Sequence, residues 1–491
     1  MTPTTPDVEA FRLMRAGRLE EALVLAERAV ASQRVCTSAH GLLAMILVRL
    51  GRASEADAVI GNAIGLEPAS ADACDALAFV SLNLGHHARS NALYRRAAEL
   101  GSDTSRHWYN LASSERGFGR LAEAEAACDR AIALDEREYR SYLLRSELRV
   151  QTPEANHVAQ LRTMLRRPGL EERARVFLGY ALGKELDDLQ QFDEAFRWFS
   201  KAAGTRRRHL AYDVAVDERK LRRIEEAFPR AAPRPCAAGD DSGRFIFVVG
   251  LPRSGTTLLE RILTNLSSVR SNGETDNFAR ALLDTSSLQD APGGERRDVF
   301  ERAAAADPQA VASHYAKLAG ANRSADCIIE KLPMNYLYVG AIHRALPRAR
   351  LLLVSRAPLD SCFAMYRTLF GVAYPFSYDF DDLARYYATY ARLVAHWRAT
   401  LDESIHEVCY ESLVSDPIGV ASAAARFCDL HWSDDAIAVE SNSAVSLTAS
   451  AAQIRRPIYG TSSGRWRHYR THLAPLIEGL RRRRISLPVG A

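Results

Sequence analysis

Glycine and small apolar residues recur at a fixed interval through the first part of the chain. Gly17, Gly51, Gly85 and Gly119 stand 34 residues apart. Five residues after each come Ala22, Ala56, Ser90 and Ala124, and twelve after each come Ala29, Ala63, Ala97 and Ala131. Small side chains at these offsets let two antiparallel helices approach closely, and a glycine between them ends one helix and permits the turn. The pattern therefore predicts stacked helix pairs. A fifth unit is degraded, with Pro153 where the glycine would fall; the register returns three residues late in Gln190–Ala203, with Ala195 and Ala202 at the small positions. The helical array is expected over residues 1–210. Phe228–Gly243, with three prolines and a paired aspartate, keeps no period, which predicts a helix end and linker over 211–243. From residue 244 the pattern changes. Phe245–Val249 is apolar at every position, as in a strand covered on both faces, and the amphipathic Leu258–Leu263 follows it. Ile328–Glu330, Leu351–Ser355 and Val408–Tyr410 read as further short strands. Strands alternating with helices predict an α/β domain with a parallel sheet over 244–491.

The chain of 491 residues is too long for one core, and at about 150 residues per domain it should hold two or three units. With 47% hydrophobic and 25% charged residues it is expected to fold rather than stay disordered. A net charge of +4 is too small to mark a nucleic-acid-binding chain, so any anion site must be local. Met1–Glu9 lacks a basic stretch followed by an apolar run, and no window approaches 18 apolar residues; neither a signal peptide nor a membrane span is expected. The eight cysteines are scattered without a C-x-x-C pair and read as buried free thiols, which points to a reducing cytoplasm. The thirteen histidines show no metal-ligand spacing, so no metal is expected. Arg481–Arg484 read as a solvated helix face.

Candidate chemistry begins where the first predicted strand ends. Gly250-Leu251-Pro252-Arg253-Ser254-Gly255-Thr256-Thr257 joins that strand to a helix. Strand, glycine loop and helix aim free backbone N–H groups at an anion, and Gly255 leaves room for close approach. The spacing is that of the nucleotide-triphosphatase loop G-x-x-x-x-G-K-[ST], with Thr256 in place of the lysine. That lysine grips the β- and γ-phosphates, so ATP or GTP chemistry is disfavoured. The positive charge, Arg253, lies inside the loop instead.

The 34-residue array resembles tetratricopeptide repeats. A strand followed by P-R-S-G-T-T and a helix resembles the sulfotransferase family, and the resemblance extends over residues 244 to about 480. It is nearest the bacterial tetratricopeptide-sulfotransferases and the related tyrosylprotein sulfotransferases. The resemblance implies 3′-phosphoadenosine 5′-phosphosulfate (PAPS) as co-substrate, its 5′-phosphosulfate held by Arg253, Ser254, Gly255, Thr256 and Thr257. In Asn272-Gly273-Glu274-Thr275 it implies Glu274 as general base toward an acceptor hydroxyl. In Ile328–Asn335, similar to the family's K-x-P-x-N, it implies Lys331 on the bridging oxygen or sulfuryl group. Arg356, after Leu351–Ser355, corresponds to a 3′-phosphate arginine whose fork meets two oxygens. The family's serine eight residues later is here Ala364, with Ser361 one helical turn earlier as its substitute. Tyr410 matches a nucleotide-side tyrosine. Ser450 and Arg465 match a serine donating to the sulfuryl oxygens and a basic lid over the 3′-phosphate, with Arg455 and Arg456 facing the same anion or solvent. The implied activity is sulfuryl transfer to a hydroxyl, with a protein or peptide tyrosine docked on the repeats as acceptor. A saccharide, lipid or small-molecule acceptor, and a catalytically inactive repeat adaptor, are the alternatives. No metal, nucleic acid or membrane span enters the scheme.

Overall fold

A computed structural model describes residues 6–32, 36–229, 244–287, 299–320 and 327–488. The chain divides into two compact units, Met1–Gln151 and Thr152–Ala491. The first is a row of helices: α1 (Pro6–Arg15), α2 (Leu19–Ser32), α3 (Thr37–Arg49), α4 (Ala53–Gly65), α5 (Ala71–Asn83), α6 (His87–Glu99), α7 (Ser105–Gly117), α8 (Leu121–Leu134) and α9 (Tyr139–Glu147). Through α8, neighbours pack as hairpins and each hairpin packs on the next.

The periodic glycines explain the hairpins. Gly17, Gly51, Gly85 and Gly119 have φ of 78°, 77°, 78° and 80°, the left-handed region that closes a helix C-terminus. At Gly85 its amide donates to the Leu82 carbonyl at 3.0 Å and the His86 amide donates to the Ser81 carbonyl at 2.9 Å. Equivalent pairs of bonds close the other three turns. A Cβ built on Gly17, Gly51 or Gly85 meets nothing within 4 Å, so the turn demands the backbone angle and not the missing side chain. The small positions behave differently. Ala22, Ala56, Ser90 and Ala124 are at most 1% exposed and sit where helices cross.

Between α9 and the next helix, α10 (Val158–Leu165), the chain is irregular around Pro153, and the division between compact units falls there. The late-register hairpin is α11 (Glu172–Asp188) and α12 (Phe192–Arg208), packed within the second unit. Gln190 takes the left-handed turn position at φ 59°, and Ala195 and Ala202 are buried in the hairpin. Where a helix end and linker were expected from 211, the structure has a full helix, α13 (Val214–Ala227). Its first turn is capped by the Asp213 carboxylate, which accepts the Ala215 amide at 2.9 Å. The remainder of the expected linker, from residue 230, lies outside the described residues.

Five parallel strands follow: β1 (Phe245–Gly250), β2 (Val269–Ser271), β3 (Cys327–Glu330), β4 (Arg350–Ser355) and β5 (Ile405–Cys409), in the order β2-β3-β1-β4-β5. β1 is central and buried throughout, as its unbroken apolar run requires. Ile246 and Val248 pack with Leu259 and Ile262 of α14 (Thr256–Thr264) in one core. Phe245 and Phe247 turn the other way, toward Phe278 and Tyr315 on α15 (Asn277–Ser287) and α17 (Pro308–Leu318), with α16 (Val299–Ala305) between those helices in sequence. α18 (Val339–Ala345) leads into β4, and α19 (Pro358–Tyr366) and α20 (Phe380–Thr400) lead into β5. The chain continues with α21 (Tyr410–Ser415), α22 (Pro417–Phe427) and α23 (Ala474–Arg482). Because every strand runs the same way, the loops after β1, β3, β4 and β5 emerge along one edge, where open α/β sheets bind ligands. Among the described residues no helix is long and apolar enough to cross a membrane.

Candidate active site

The loop after β1 is shaped by three positive φ angles: 155° at Gly250, 65° at Arg253 and 106° at Gly255. A Cβ at Gly255 would lie 2.5 Å from Cδ2 of Tyr410, so the glycine is required by the tyrosine ring that packs over the loop. The sequence pattern assigned that space to a ligand; the structure gives it to Tyr410. At the start of α14 the amides of Gly255, Thr256 and Thr257 have no preceding helical carbonyl to bond, and the helix dipole adds about 0.3–1 kcal/mol for an anion there. These residues and Arg253 line an open cleft.

Arg253 points from the loop to a later segment of the chain. Its Nη1 donates to Ser450 Oγ at 2.5 Å and its Nη2 to Gln453 Oε1 at 2.8 Å. Arg356, just after β4, donates from Nη1 to the Arg253 carbonyl at 2.8 Å and from Nη2 to the Ser462 carbonyl at 2.6 Å. Its guanidinium lies 4.6 Å from the centre of the Tyr410 ring. Burial pushes the Arg356 pKa below the ordinary arginine value, and its Nε is buried without a partner among the described residues. A buried cation with a donor to spare marks a place that an anion would complete. Residues 448–462 thus form a strap across the cleft, held by two arginines from the sheet edge.

Glu274 and Lys331, predicted from separate motifs, come together. Lys331 Nζ donates to Glu274 Oε1 at 2.6 Å and lies 3.5 Å from Glu260 Oε2. The Lys331 amide also donates to the Gly273 carbonyl at 3.1 Å, tying the end of β3 to the Glu274 loop. Glu274 lines the cleft with its side chain 37% exposed, whereas Lys331 is fully buried behind the ion pair. Glu260 and Arg261, on the helix after the loop, are buried as well, against the expectation for charged residues of an amphipathic helix. Glu260 accepts from Ser271 Oγ at 2.5 Å, and Arg261 donates to Asn442 Oδ1 at 2.6 Å.

Three expected residues stand elsewhere. Arg465 is no lid: its Nη2 lies 2.7 Å from Asp187 Oδ2 in a buried cluster, and it does not line the cleft. Asp187 is 2% exposed and would be an uncompensated buried charge without its cations, so the fold keeps Arg465 beside it. Ser361 is 1% exposed within α19 and does not reach the cleft, while Ala364 does line it, so the substitution of one for the other is not made. Ser254 is 1% exposed, and its Oγ is buried without a partner among the described residues. Of the two arginines on the strap, Arg456 lines the cleft; Arg455 instead donates to the carbonyls of Asn442 and, at 2.8 Å, Ala444. The sequence reading missed Arg367, Gln453 and Glu260. Arg367 lies eleven residues past Arg356 and carries no motif, so only the fold brings it to the cleft. Among the described residues no group of three or more His, Cys, Asp or Glu could hold a metal ion, and no disulfide joins the seven described cysteines.

Residues 246–434 match the model of the sulfotransferase family, and residues 9–60 and 77–139 match a tetratricopeptide repeat model. An uncharacterized protein of Aquifex aeolicus (strain VF5) is 28% identical over 369 residues, covering 74% of this chain and 48% of that protein. The chain thus spans about half the length of the curated relative it matches. Among solved structures it is similar to the sulfotransferase domain from the curacin biosynthetic pathway, at 15% identity over 50% of this chain and 98% of that one, with a TM-score of 0.37. It is also similar to YrrB, described as a tetratricopeptide protein with an unusual peptide-binding site, at 16% identity over 39% of this chain and 89% of that one, with a TM-score of 0.26. The chain carries helical tetratricopeptide repeats followed by a sulfotransferase-family domain with a parallel sheet.

Proposed function

We propose that the second unit transfers the sulfuryl group of PAPS to an acceptor hydroxyl. The observation that carries this reading is the loop after β1: an anion-binding turn at the start of α14, charged by Arg253 and lacking the lysine of ATP and GTP sites, within the sulfotransferase-matched residues. In this reading the amides and hydroxyls of Thr256 and Thr257 hold the 5′-phosphosulfate. Arg253 and Ser450, already in contact, converge on the sulfuryl oxygens. Glu274 takes the proton of the acceptor hydroxyl as its oxygen bonds to sulfur and the bond from sulfur to the phosphate oxygen breaks. Lys331 then exchanges its contact with Glu274 for the oxygen left on the departing 3′,5′-bisphosphate. One preorganised donor of this kind is worth on the order of 10²–10³ in rate. With Arg465 committed to Asp187, the 3′-phosphate falls to Arg356, assisted by Arg367 and Arg456 on the same cleft.

For the acceptor we propose a protein or peptide tyrosine, brought by the repeats. Phe370 and Tyr374, packed edge to face with ring centres 4.8 Å apart, line the cleft together with Glu274 and offer one apolar wall against which a phenol could rest. The test is an assay with sulfur-labelled PAPS, with and without magnesium, against a tyrosine-rich peptide and a panel of glycans and small hydroxyl compounds. Magnesium-independent labelling of the peptide is expected; labelling of a glycan or small molecule alone would replace the acceptor and keep the reaction. Binding of magnesium-ATP with no binding of adenosine 3′,5′-bisphosphate would sink the whole reading.

A further inference from the structure

Asp187 lies in the last turn of α11, outside the residues matched by either family model. Only 2% exposed, it gathers three side chains. Arg367 Nη1 lies 2.6 Å from Oδ2, and Arg465 Nη2 lies 2.7 Å from the same oxygen. The Tyr469 hydroxyl donates to Oδ1, and the Asp187 carbonyl accepts from Arg465 Nη2 at 3.3 Å. Burial pushes the carboxyl up, but the two guanidiniums and the bonds from Arg465 and Tyr469 outweigh it and hold it below the usual carboxylate range. One carboxylate against two guanidiniums leaves a surplus positive charge. The neighbouring Asp188 is paired with Lys184 at 2.7 Å and acts on Arg465 less strongly than Asp187 does. Of the two guanidiniums, Arg367 alone lines the cleft, on the wall that also presents Arg356 and Arg456.

A long arginine side chain that is free in solution must give up its rotamer freedom when it meets a ligand. Arg367 has already given it up to Asp187, and the residue also lines the cleft. We propose that Asp187 is a positioning residue for the anionic co-substrate: by fixing Arg367, it makes the helical hairpin α11–α12 a working part of the nucleotide site. The hairpin that looks in sequence like the last repeat of a docking array thereby serves the catalytic unit. This inference rests on the reading of the cleft as a site for PAPS.

Calorimetric titration of the full chain with adenosine 3′,5′-bisphosphate tests it, using the wild type, Asp187→Asn, Arg367→Gln and the double variant. Arg367→Gln should weaken binding by about tenfold, as loss of one charged contact to phosphate does. Asp187→Asn should weaken it by a similar factor, and the double variant should bind no worse than Arg367→Gln alone, because Asp187 acts through Arg367. A merely structural Asp187 would lower the melting temperature and leave affinity alone. Should Asp187→Asn not fold, Asp187→Glu keeps the charge and displaces it by one methylene, with the same expectation. Unchanged affinity in Arg367→Gln, or losses that add in the double variant, would overturn the proposal. A wild type that fails to bind the bisphosphate sinks the PAPS reading itself; a wild type that binds while Arg367→Gln is unaffected sinks only the role of Asp187.

Discussion

Glu330, the last residue of β3, is fully buried immediately before Lys331. Its Oε1 accepts the Phe278 amide at 3.3 Å and Asn335 Nδ2 at 3.4 Å. Burial dominates its titration; the donors around it, Tyr315, Phe278 and Asn335, offset only part, and its pKa rises from 4.5 to about 7. A carboxyl raised this far favours the protonated form in the folded state. Its contribution to stability is therefore complete below pH 4.5 and is lost as pH climbs through about 7. At 1.36 kcal/mol per pH unit, the rise corresponds to about 3 kcal/mol once the group is ionised. Glu330→Gln mimics the protonated form, keeping an acceptor for Phe278 without a charge to bury. The variant should match the wild type near pH 5 and exceed it by about 2–3 kcal/mol near pH 8.5. Urea unfolding followed by tryptophan fluorescence at a series of pH values reads this difference, since four of the five tryptophans (Trp198, Trp397, Trp432 and Trp466) lie in the second unit. A gap between variant and wild type that stays constant from pH 5 to pH 8.5 would refute the reasoning.

Gly255→Ala must push the Tyr410 ring away and occupy a left-handed backbone angle; a strain of about 1–3 kcal/mol should lower the melting temperature and weaken binding of adenosine 3′,5′-bisphosphate. An unaltered melting curve and affinity would show that the packing over the loop is slack. Gly85→Ala meets open space, so only its φ of 78° opposes it; a loss of about 1 kcal/mol is expected in unfolding of the first unit, measured by circular dichroism. Glu274→Gln should cut turnover by about 10²–10⁴ with nucleotide affinity nearly intact, and normal turnover would remove it as the base. Arg356→Ala takes away the ties to the Arg253 and Ser462 carbonyls together with a cation facing the cleft, so its loss of affinity by calorimetry should exceed that of Arg367→Gln. A smaller loss would count against its leading role.

Local chemistry explains what was legible in the residues alone. A turn that needs φ near 78° admits glycine and little else, so four glycines at one interval disclose the helix pairs. An unbroken apolar run of five residues disclosed a central strand, and the loop after it followed from where backbone amides must point. Those features depend on a few consecutive residues. The pairing of Glu274 with Lys331 depends on the order of strands, because β2 and β3 must lie side by side before their ends can meet. The helix of residues 214–227 was hidden by the nearby prolines, and its Asp213 cap was not distinguished from loop composition. Arg465 shows the boundary most clearly. Its spacing from Ser450 suited a lid over phosphate, yet a carboxylate 278 residues earlier in the chain holds it. Sequence by itself determined the repeats, the parallel α/β unit and the anion loop, since each is written in short-range pattern. Only tertiary structure decided which cations face the cleft, because a carboxylate that folding buries must be compensated, and folding alone chooses which arginines stand beside it.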